Sequence, residues 1–189
     1  MKAFFSKYGY TMIKLFLNQF AIALFGIALA TACANSGNYT LLLIVSIAAI
    51  VFYLFLQYAV MWEVGAKDGI SAVARHESRR LWRGLVIAVG GNIVNILLAV
   101  LILPSAFVQN GVSAICKTIS MLIQGMSMGI LVQPVGDGGL VDFWWMHILI
   151  ILPALLVCSG AYILGNYNLH ATNILIPKNK DVKNNGRPN

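Results

Sequence analysis

Charge is what this chain has least of. Of its 189 residues only 10% are Asp, Glu, Lys or Arg, where a soluble domain carries about 25%. Hydrophobic residues make up 59%, and the mean hydropathy is +0.81. A soluble fold with these proportions would leave a large part of its apolar surface in water, and a disordered chain would not carry so much of it. Cysteine is also scarce. Cys33, Cys116 and Cys158 stand far apart, with no CxxC and no Cys/His spacing, so zinc and dithiol chemistry are excluded. Walker, dinucleotide-binding, EF-hand and CxxCH patterns are missing as well, and no cofactor is implied. An all-α, multi-pass transmembrane bundle remains.

A crossing helix needs roughly 20 mostly apolar residues. Stretches at about 12–33, 41–62, 84–104 and 144–165 meet this. A fifth, about 112–133, is long enough but carries Lys117, Gln124 and three serines. Cation placement decides how it is counted, because Lys and Arg concentrate in cytoplasmic loops. Lys2, Lys7 and Lys14 precede or open the first span; Lys67, Arg75, Arg79, Arg80 and Arg83 follow the second. Lys178, Lys180, Lys183 and Arg187 lie in the tail. Four spans keep all of these on one side and leave Lys117 alone on the other. The chain therefore divides into a helical domain, 1–165, and a polar basic tail, 166–189, with both termini cytoplasmic. The 112–133 segment is expected as a re-entrant or interfacial helix, with five spans as the alternative. Ser113, Lys117, Ser120, Gln124 and Ser127 share one helical face, which suits contact with protein or water.

In lipid, helices associate through small residues and interhelical hydrogen bonds. Each span shows a stripe of this kind: Gln19, Ala23, Gly26 and Ala30; Ser46, Ala49, Tyr53 and Gln57; Ala88, Gly91, Asn95 and Ala99; Ala154, Cys158, Ala161 and Gly165. Depth groups Gln19, Gln57, Asn92 and Asn95 in the cytoplasmic half, and an amide facing hydrocarbon is costly. These four are the candidate ligand-binding or helix-clamp residues. No acid or base accompanies them, which argues against a proton relay.

The loop 63–83 pairs Glu63 with Lys67 at helical spacing and repeats Arg75, Arg79 and Arg83 every four residues beside Arg80 and Trp82. This predicts a short basic helix lying on anionic headgroups or docking a transporter subunit. The cluster is too small and too close to the bilayer for nucleic acid. Pro153 is expected to kink the last span.

Two motifs suggest chemistry. His76-Glu77 begins like HExxH, but Arg80 occupies the place of the second ligand, so no metal site follows. Gly125-Met126-Ser127-Met128-Gly129 matches the GxSxG of serine hydrolases, which also need a histidine at the serine; His147 is the candidate on that side. A packing role for the two glycines is the simpler reading. Taken together, the residues imply a non-enzymatic subunit or accessory of a transport system in the cytoplasmic membrane. An intramembrane serine hydrolase and a structural or assembly protein without ligand are the alternatives.

Overall fold

The computed structural model describes residues 2–35, 37–106, 111–135 and 138–169. Among these, α1 (Lys2–Ala34), α2 (Tyr39–Ala74) and α7 (Trp144–Asn166) are long, apolar helices able to cross a membrane. Between α2 and α7 lie two bent pairs: α3 (Trp82–Gly91) with α4 (Ile93–Ile102), and α5 (Gly111–Ile123) with α6 (Met128–Leu131). A two-residue antiparallel pairing, Pro134 with Gly139 and Val135 with Gly138, precedes α7. The tail lies outside the described residues from His170 onward.

Every residue of the four expected stripes is buried, while Leu24, Phe55, Leu97 and Leu156 on other faces are exposed. A bundle with small, polar residues inside and large, apolar ones outside is built for lipid, not water. The tightest contact is between α2 and α7. A Cβ on Gly65 would strike the Tyr162 backbone, one on Gly69 the Asn166 backbone, and one on Gly165 the Trp62 backbone. Gly65-x-x-x-Gly69 thus lets two helices touch main chain to main chain.

These contacts fix the path of the chain. The start of α1, the end of α2, the start of α3 and the end of α7 meet at one end of the bundle, around Tyr8, Asp68, Arg83 and Tyr162. Because α4 leads away from this basic end and α7 leads back to it, the segment between them starts and finishes at the far end. There Lys117 donates to the Asp142 carbonyl at 3.0 Å, and Gln133 Nε2 to the Tyr39 carbonyl at 3.4 Å. In between, Gln19 Nε2 of α1 reaches the Ile123 carbonyl at 3.4 Å. The segment enters, turns by 90° at Gln124 and Gly125, and returns as a hairpin, so the bundle joins three unbroken apolar helices and two bent pairs.

Two sequence expectations need correction. The third span is not one continuous helix; it bends by 67° at Asn92. Gly90 and Gly91 weaken the helix there, and Asn92 Nδ2 takes the Ala88 carbonyl at 3.0 Å. Gly90 packs against Met12 and Gly91 against Leu15, so the glycines also bring α3 close to α1. The expected basic helix at Arg75–Arg83 does not form. The second helix runs on to Ala74, carrying the Lys67–Glu63 pair at 2.6 Å, and ends in a left-handed cap at His76 (φ 53°). The amide of Glu77 donates to the Ala72 carbonyl and that of His76 to Val73, the two bonds that close such a cap. Pro153 lies inside α7, with helix on both sides of it.

Candidate functional site

Two polar clusters stand out, one inside the bundle and one at its basic end. The inner cluster joins the two broken helices. Asn95 Nδ2 donates to Gln19 Oε1 at 2.8 Å and lies 3.2 Å from Asn92 Oδ1. Through its own Nε2, Gln19 reaches the carbonyl of Ile123, the last residue before the turn of the hairpin. One glutamine on α1 therefore ties the break at Asn92 to the break at Gln124. All of these side chains are buried. Gln19 lies seven residues beyond Met12, about 11 Å into the apolar layer at roughly 1.5 Å per residue.

Gln57, expected in the same cluster, is buried but used elsewhere: its Nε2 donates to the Leu15 carbonyl at 3.0 Å. Gln124 is 1% exposed, and neither its Oε1 nor its Nε2 has a hydrogen-bond partner among the described residues. Asn95 Oδ1 is also unpartnered. Unpaired buried amides of this kind cost free energy unless a ligand or water completes them.

The hairpin seats on α1 and α2 through its glycines. A Cβ on Gly125 would meet Ile27 and the Ala23 carbonyl, one on Gly26 the Met126 backbone, and one on Gly129 the Leu42 carbonyl and Ser46 hydroxyl. Ser46 Oγ in turn accepts from the Gly129 amide at 2.8 Å. In the GxSxG segment, Ser127 is buried and its hydroxyl donates to the Gln124 carbonyl at 2.7 Å. The candidate base lies elsewhere. His147 Nδ1 is 3.1 Å from Ser120 Oγ, and its Nε2 is 3.1 Å from the Val141 carbonyl. A carbonyl only accepts, so in the neutral ring the proton sits on Nε2 and Nδ1 accepts from Ser120. Both partners are fully buried, and the pair joins α5 to α7.

The basic end is built around Asp68, a residue the sequence reading passed over. It sits on α2 six residues past Trp62, about 9 Å beyond the expected span, and is 8% exposed. Its carboxylate accepts from Lys7 Nζ at 2.7 Å, Tyr8 Oη at 2.7 Å and Tyr162 Oη at 2.8 Å. Burial acts to raise the Asp68 carboxyl, but the three donors, Lys7 foremost, outweigh it and hold the group below the usual carboxylate range. Arg83 donates to Tyr8 Oη at 3.3 Å, and the Arg79 guanidinium lies 4.5 Å from the Tyr167 ring centre. The four arginines named from the sequence are thus brought together, around a cavity instead of along a helix.

Compared with family models, curated proteins and solved structures, the chain matches none of them. Fold and site together define a multi-pass helical membrane protein with a re-entrant hairpin. Among the described residues, no three His, Cys, Asp or Glu side chains are placed to hold a metal ion.

Proposed function

We propose that this protein is a non-enzymatic subunit or accessory of a transport system in a cytoplasmic membrane, with its basic end facing the cytoplasm. The single observation that carries the reading is the junction of two broken helices at Gln19. Helices interrupted within the apolar layer release backbone groups where a passing solute or ion can be met, and transporters place binding sites at such breaks. Gln124, buried and unpartnered at the tip of the hairpin, is the side chain most in need of such a contact. The orientation follows from the cations gathered at one end. Anionic headgroups and a transporter partner are the contacts this reading expects.

Extraction in mild detergent followed by native mass spectrometry tests it. A complex with an ATP-hydrolysing or permease subunit is expected. A solitary monomer that carries no small molecule would overturn the proposal.

A further inference from the structure

At the basic end, α1, α2, α3, α7 and the turn after α2 enclose a cavity of about 560 Å³. Lys7, Arg75, Arg79, Arg80 and Arg83 line it, against two acids, Asp68 and Glu77. Lys7 is the cation that Asp68 neutralises, and the remaining bonds to that carboxylate come from two tyrosines. Among the described residues none of the four arginines has an ion-pair partner within 4.0 Å. Four arginines therefore line one space with only Glu77 to offset their charge. Arg83 also bonds Tyr8 and Arg79 stacks on Tyr167, while Arg75 and Arg80 have no such contact among the described residues. Their planar donors match phosphate oxygens.

The floor of the cavity is already formed. Tyr8, Tyr162 and Asn166 are 3%, 1% and 4% exposed, and Asn166 Oδ1 is buried with no hydrogen-bond partner. Asn166 is among the residues that line the cavity, and its oxygen, an acceptor, would be completed by a hydroxyl or ammonium on the ligand. One wall is apolar: Phe4 and Trp82 stack with ring centres 6.2 Å apart and planes 11° from parallel. Asp68 lies about 9 Å beyond the expected end of the span, which is the depth of lipid headgroups. The volume is ample for a headgroup and several times what a bare phosphate needs.

We infer that this cavity binds a phosphate ester bearing a neighbouring hydroxyl or amine. The depth of the site and its aromatic wall point to a glycerol- or ethanolamine-type phospholipid headgroup as the source. The site uses none of the residues of the amide junction, so it stands or falls independently of the transport reading.

Native mass spectrometry of the full chain in detergent, titrated with short-chain phospholipids, tests the inference. Phosphatidylglycerol is expected to bind at least tenfold more tightly than phosphatidylcholine, whose headgroup has neither net charge nor a donor. Removing two cations in the R75Q/R80Q double variant is expected to weaken phosphatidylglycerol by about thirtyfold. Neither arginine is bonded to the fold by its side chain, so an unchanged melting temperature accompanies that loss. Asn166→Leu should weaken phosphatidylglycerol more than phosphatidic acid, whose phosphate bears no glycerol or amine group. Glycerol phosphate that competes at equal concentration keeps the phosphate-ester site but moves its source to the cytosol. Equal binding of phosphatidylglycerol and phosphatidylcholine, or full binding by the R75Q/R80Q double variant, would overturn it.

Discussion

The two polar clusters answer the same problem under different solvents. Around Asp68, beyond the apolar layer, the chain uses full charge, and the carboxylate is saturated by three donors. Around Gln19, inside that layer, it uses neutral amides only and leaves Gln124 and one oxygen of Asn95 without partners. Ionisation is affordable where headgroups and water help to solvate it; at depth an amide is the strongest polar group available at moderate cost. The outer cluster is thus a fixed anchor between α1, α2 and α7, and the inner one is a joint with unused bonding capacity.

Substitutions should separate the anchor from the joint. Asp68→Ala has the largest expected effect: it takes the acceptor from the buried Tyr8 and Tyr162 hydroxyls and ends the pair with the half-exposed Lys7, costing about 2–3 kcal/mol, measured by thermal or denaturant unfolding in detergent. Gln19→Leu removes both bonds between the breaks and is expected to cost about 1 kcal/mol, since membrane hydrogen bonds average about 0.6. Gln124→Leu removes no bond and relieves an unpaired amide, so stability is expected to stay level or rise by up to about 1 kcal/mol. A loss comparable to that of Asp68→Ala would erase the contrast. The smallest effect concerns the serines. With Ser127 bonded to a backbone carbonyl and Ser120 sealed against His147, a fluorophosphonate probe is expected to label neither in folded protein. Labelling of Ser120 would revive a hydrolase reading at a new residue.

Much of this was legible from spacing. The stripes such as Ala23, Gly26 and Ala30 were readable because lipid leaves packing to small residues at helical period, and each is buried. Gln19, Asn92 and Asn95 met because depth along a helix can be counted. Gln57 did not join them, since its Nε2 bonds the Leu15 carbonyl of α1, one turn before Gln19. The bends at Asn92 and Gln124 fall beside Gly91 and Gly125, but both glycines also read as packing residues, so the pattern alone did not separate a break from a close contact. Arg75, Arg79 and Arg83 kept a helical period that the chain does not follow, because His76 turns left-handed between them. Asp68 was missed while it was read as part of a loop. The signal was present: Gly65-x-x-x-Gly69 brackets it and marks helix packing that continues past Trp62.

The hairpin also constrains the order of biosynthesis. Its glycines rest on α1 and α2, which leave the ribosome before it, and Ser120 is then held by His147 of α7, which leaves after it. A half-crossing with an unpaired amide side chain at its tip cannot wait in lipid alone. Its seat is in place before it emerges, and the final helix closes over it as a latch.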